Sequence, residues 1–169
     1  MLNRRTFFTF FTFFLLLMVA ACDRSAQVAV PEGTTLIILR HADRDDVQLN
    51  ANGRARAEAL VTALEGVKID AIYAPQIQRN IDTAKPLATA RGMEIKLVER
   101  FDAADSFLAI VAASAGQTIV WVGNKDNISP IWEALGLDRP SPIEYGDLFF
   151  VDAIPSALPK VTRLRFGAE

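Results

Sequence analysis

Three short stretches of this chain bring together residue types that handle phosphate. The first is Arg40-His41, directly after the apolar run Thr35 to Leu39; His41 is the only histidine among the 169 residues. The second is Arg79 and the third is Asn124-Lys125, each a few residues past another apolar run. An arginine guanidinium is a planar fork that grips phosphate oxygens in pairs and keeps its charge. A neutral imidazole near pH 7 is a competent nucleophile toward phosphorus. Two guanidinium groups and one imidazole in a single crevice therefore suit the binding and transfer of a phosphoryl group.

The elements predicted around these residues would bring them together. Thr35 to Leu39 is a short, continuously apolar run, which reads as a strand buried on both faces. Further strands are predicted at 69–74, 94–98, 118–122, 148–151 and 161–166, the last at a sheet edge because of Arg163 and Arg165. Helices are predicted between them. One follows Asn50 or Asn52 as N-cap, with Ala57, Leu60, Val61 and Leu64 on one face, and ends near Gly66. Others are expected over 78–90, kinked or restarted at Pro86, over 103–115, and over 128–135 with Pro130 in the first turn. This alternation implies a three-layer α/β/α sandwich around a mostly parallel sheet. Ligands of such sheets gather at the carboxyl ends of the strands, where Arg40-His41, Arg79 and Asn124-Lys125 fall. Taken singly, His41 and Arg79 would read as ordinary hydrogen-bonded or solvated residues; their shared position after successive strands gives the functional reading.

Residues 1–21 stand apart from that domain. Arg4 and Arg5 precede an apolar stretch, and Val19-Ala20-Ala21 supplies small residues before Cys22, the layout of a bacterial secretory signal. Cys22 is the only cysteine, so an internal disulfide is excluded. Val19 to Cys22 looks like the site at which bacterial lipoproteins are cut and acylated. The expected organisation is a signal peptide at 1–21, a tether at 22–33 and one domain at 34–169, lipid-anchored at the periplasmic or outer side of a bacterial membrane. Without the signal, 16 basic residues face 20 acidic ones, a net charge of −4, which gives no nucleic-acid footprint.

The motifs resemble those of one family. Leu39-Arg40-His41-Ala42 looks like the RHG/RHA signature of the histidine phosphatase superfamily, the phosphoglycerate-mutase-like fold. Leu49 to Ala57 is similar to the start of that family's first helix. Ile72 to Arg79 with Thr83-Ala84 resembles its segment carrying the second arginine, and Val120 to Gly123 the strand that presents a second histidine. Glu144 to Phe149 and Arg163 to Gly167 resemble the closing segments of small exported members, so the likeness spans Thr34 to Gly167 in order.

The resemblance implies a metal-independent phosphomonoesterase needing no cofactor. His41 would take the phosphoryl group as a phosphohistidine, and Arg40 and Arg79 would clamp its oxygens. Glu99 would protonate the leaving oxygen, with Asp126 and Asp102 as alternatives. The chain departs from the family at Asn124, where a histidine is expected, at Lys125-Asp126-Asn127, and at Pro75 in place of serine. Asn124 and Lys125 would then complete the substrate site without a second imidazole. Loss of one preorganised donor typically slows a reaction by about 10²–10³. Reduced activity on a phosphorylated small molecule or phosphoprotein is therefore expected. The alternative is a degenerate relative that binds such a ligand, or a partner protein, without turnover.

Overall fold

The computed structural model describes residues 27–155 and 157–167. The expected signal peptide and Cys22 lie outside the described residues. Six strands form the main sheet: β1 (Thr35–Arg40), β4 (Ala71–Pro75), β5 (Ile95–Val98), β6 (Thr118–Gly123), β7 (Asp147–Asp152) and β8 (Lys160–Arg165). Their order is β5-β4-β6-β1-β7-β8. The first four run parallel, while β7 and β8 are antiparallel to their neighbours. A two-residue hairpin, β2 (Arg44–Asp45) with β3 (Gln48–Leu49), follows β1.

Among the described residues four helices cover the sheet: α1 (Ala51–Ala63), α2 (Gln78–Arg91), α3 (Ala103–Ala112) and α4 (Lys125–Ala134). Side chains alternate across a strand, so each central strand feeds two cores. On one face Ile37, Leu39, Val120 and Val122 pack against Leu60 of α1, Leu64 at its C-cap and Leu87 of α2. On the other, Leu36, Ile38, Ile119 and Trp121 pack against Phe107 and Val111 of α3 and Ile131 and Trp132 of α4. The continuous apolar runs in β1 and β6 follow from this double burial. The result is the expected three-layer α/β sandwich with a mostly parallel sheet.

Several local expectations change. Helix α2 runs unbroken through Pro86. Helix α4 starts at Lys125, three residues earlier than expected, because Asn124 serves as its N-cap; Pro130 therefore lies in the second turn. Within the expected tether, the Val28 amide donates to the Ala134 carbonyl at 2.8 Å, and Val28 and Val30 pack against the core. The hairpin at 44–49 lies outside every predicted element. Pro75 fits at the end of β4 because pairing with β6 stops at Tyr73, so its missing N–H interrupts no bond to that strand. Among the described residues no helix is long and apolar enough to cross a membrane.

Candidate active site

Strands β1 and β6 are adjacent and parallel, but their chains leave toward opposite faces, β1 toward α1 and β6 toward α4. This reversal opens the crevice in which α/β sheets bind ligands. His41 sits in it, and its amide donates to the Gly123 carbonyl at 2.8 Å, locking the two strand ends together. The first turn of α2 is pinned beside them. Thr83 Oγ1 accepts from the Ala42 amide at 2.9 Å and donates to the Arg79 carbonyl at 2.7 Å. Buried Asn80 donates through Nδ2 to the Val122 carbonyl at 3.0 Å. Two polar side chains of one helix thus fix Arg79 relative to His41.

The His41 ring is 1% exposed and lies 2.8 Å, through Nδ1, from the Ala42 carbonyl. A carbonyl oxygen only accepts, so Nδ1 carries the proton and the lone pair of the neutral ring is on Nε2. Burial, chiefly, pulls the imidazole down to about 4 from an ordinary 6.5, and the positive charges of Arg40, Arg79 and Arg44 push the same way; the bond to Ala42 opposes them. At neutral pH His41 is therefore an uncharged ring with one nitrogen free to attack.

Arg40 is fixed by the loop before β7. Its guanidinium donates to the Ile143 carbonyl at 2.8 Å and to the Tyr145 hydroxyl at 3.2 Å, and stacks 4.1 Å from the Tyr145 ring centroid. The same ring lies 5.8 Å from the imidazole. Burial lowers the pKa of Arg79 somewhat, with Arg44 and Arg100 acting in the same direction and Asp126 against it. Arg40 Nε and Arg79 Nε are both buried without an acceptor among the described protein groups. A buried donor left unpaired is destabilising, so two beside one imidazole mark a place for an anion.

The remaining residues singled out in the sequence are placed less centrally. Asn124 is buried, but its amide serves α4: Nδ2 donates to Asp126 at 3.1 Å, and Oδ1 accepts from Asn127 Nδ2. Asn127 Oδ1 accepts in turn from the Asn124 amide and from Trp121 Nε1, both at 3.2 Å. Gly123 makes room for this network, since a Cβ there would stand 2.4 Å from Asn127 Oδ1. Lys125 is exposed on the first turn of α4. Glu99 is exposed after β5, with two strands between it and β1, and accepts from Gln76 Nε2 at 3.2 Å. Asp102 is an exposed residue at the start of α3. Of the three candidate acids, Asp126 is the one that stabilises the charge on Arg79.

Sequence reasoning missed Tyr145, Arg44 and Arg100. Arg44 lies three residues past His41 and Arg100 directly after Glu99, so their charge and position were visible signals. The role of Tyr145 depends on β7 pairing with β1 across more than a hundred residues, which no local pattern reports.

Residues 36–106, which include Arg40, His41 and Arg79, match the family model of the histidine phosphatase superfamily (branch 1). The fold is shared with solved phosphatases of low identity. The phosphoserine phosphatase of Entamoeba histolytica, solved with 3-phosphoglyceric acid, superposes with a TM-score of 0.61 at 16% identity, over 80% of this chain and 98% of that one. A protein proposed to be the phosphohistidine phosphatase SixA of Agrobacterium tumefaciens gives 0.61 at 22%, over 81% and 99%. The mycobacterial glucosyl-3-phosphoglycerate phosphatase gives 0.61 at 16%, over 79% and 98%. No curated protein matches the sequence at a significant level. The family match is confined to residues 36–106, and the fold of the whole domain is the one these solved phosphatases share.

Proposed function

We propose that the protein is an exported, lipid-anchored phosphomonoesterase of reduced activity, working through a phosphohistidine on His41. The observation that carries this reading is the neutral imidazole with its lone pair on Nε2, set beside two guanidinium groups whose Nε–H donors lack protein acceptors. Arg40 and Arg79 hold the phosphoryl oxygens and offset charge as the Nε2–phosphorus bond forms. Glu99, at the β5 end, supplies the proton to the leaving oxygen. Water then attacks phosphorus, and orthophosphate leaves the restored imidazole. The solved structures above are named as phosphatases of phosphoserine and glucosyl-3-phosphoglycerate and, as a proposal, of phosphohistidine, and a substrate of one of these kinds is inferred here.

The reduction follows from Asn124. Its amide caps α4 and brings no positive charge to the transferred group, while Asp126 beside it adds a negative one. The same observation favours the second reading, a protein that binds phosphate without turning it over. A phosphomonoester screen of the soluble body, run beside His41→Ala and with phosphate calorimetry, separates the two. Turnover of any ester that His41→Ala abolishes supports the enzyme. Phosphate binding weakened by Arg79→Ala, with no turnover at all, supports the binder.

A further inference from the structure

The ends of the sheet differ in chemistry, and the chain enters at the end opposite His41. β7 is antiparallel to β1, with Asp152 opposite Thr35, so residues 153–155 and 157–159 lie at the amino end of β1. The Ala153 amide donates to the Thr34 carbonyl there at 3.0 Å. A groove of about 240 Å³ at this foot is lined by Gln27, Val28, Val30, Leu135, Ile154 and Leu158 among others. Ile154 is 43% and Leu158 66% exposed, and Lys160 beside them is exposed too. These are apolar tips next to a cation, and the first described residue of the chain lies among them.

Chain length fixes the distance of this foot from an acyl group on Cys22. Five residue steps separate Cys22 from Gln27, a reach of at most about 17 Å when fully extended. Beyond Gln27 the chain is tied down by the Val28 bond to α4. Thr35 to Arg40 then rises about 17 Å along β1 to the site, away from the foot.

We propose that the foot carrying Ile154 and Leu158 rests on the lipid surface, which turns the His41 crevice toward the aqueous phase. This rests on the anchored reading of Cys22 given above. Ile154 and Leu158 enter the headgroup boundary as a second, weak signal beside the acyl chains, and Lys160 meets anionic headgroups. The substrate is therefore a water-borne phosphoester or the phosphorylated face of a soluble protein. The phosphate of a membrane lipid would have to reach a crevice pointing away from it.

Single-cysteine labelling tests the orientation on the full acylated chain, because Cys22 is the only native cysteine and is consumed by acylation. Leu158→Cys and Phe101→Cys each receive an environment-sensitive dye, Phe101 being 92% exposed just past β5, at the opposite end of the sheet. In vesicles of zwitterionic and anionic phospholipid, the Leu158 dye shifts to the blue and brominated lipid quenches it several-fold more than the Phe101 dye. Equal quenching at both positions, or stronger quenching at Phe101, overturns the orientation while leaving the anchor intact. A Leu158 dye shielded to the same degree without lipid, and more so as protein concentration rises, overturns it in favour of a second copy of this chain. An N-terminal peptide mass lacking acyl chains removes the anchor itself, and the orientation with it.

Discussion

At the level of single residues, the account turns on two side chains, one poised and one diverted. His41 stays neutral well below the ordinary range of imidazole because burial and the nearby arginines oppose its charging. The acid limb of kcat/KM therefore carries no His41 titration near pH 6.5, and the loss of nucleophile appears only toward pH 4. A pH profile on a substrate whose own ionisation is known separates these outcomes. Asn124→His places a second imidazole at the strand end and is expected to raise turnover by about 10²–10³. The same change removes a helix cap, at a cost of about 1 kcal/mol, measurable as a lower urea midpoint. Glu99→Gln is expected to slow alkyl esters far more than p-nitrophenyl phosphate, whose leaving group needs no proton. Equal slowing of both would move the acid role to Asp126, the acid that stabilises the charge on Arg79.

At the scale of elements, the site depends on how α1 and α2 are fastened to the loop after β1. The Thr83 hydroxyl joins the Ala42 amide to the Arg79 carbonyl, so Thr83→Val leaves a buried N–H unpaired. That change is expected to lower stability by about 1–3 kcal/mol and to reduce phosphate affinity together, because Arg79 loses its register with His41. Gly53 sits where α1 passes the loop; a Cβ there would lie 1.9 Å from the Asp43 carbonyl oxygen. Gly53→Ala must displace backbone, and thermal unfolding should report the loss even though the residue is remote from phosphate. Much of this arrangement was legible in the sequence. The apolar runs located the strands, and the polar residues just after them located Arg40, His41 and Arg79. The early start of α4 was hidden because Asn124 could be read either as a ligand-facing residue or as a cap. Three-dimensional packing decided for the cap, by placing Asn127 where it bonds both Asn124 and Trp121. Tyr145 was equally hidden, since its partner Arg40 is distant in sequence and joined only through β7.

For the molecule as a whole, the buried imidazole links stability to acidity. The unfolded chain takes up a proton on His41 near pH 6.5, whereas the folded chain resists it until about pH 4. Across that window the unfolded state binds more protons, so stability falls as pH drops from 6.5 to 4, by up to about 3 kcal/mol. Above pH 6.5 this contribution is present in full. His41→Gln removes it, and urea midpoints at pH 7 and 4.5 should lie closer together in the variant than in the parent. The same imidazole carries the central claim about function. Rapid-quench mixing of the protein with a ³²P-labelled phosphoester, followed by acid and alkaline treatment, looks for the covalent intermediate directly. The account predicts an acid-labile, alkali-stable label on the parent chain, mapped to the peptide that holds His41, and none on His41→Ala. Equal labelling of the two proteins, or turnover that survives the loss of His41, would contradict it.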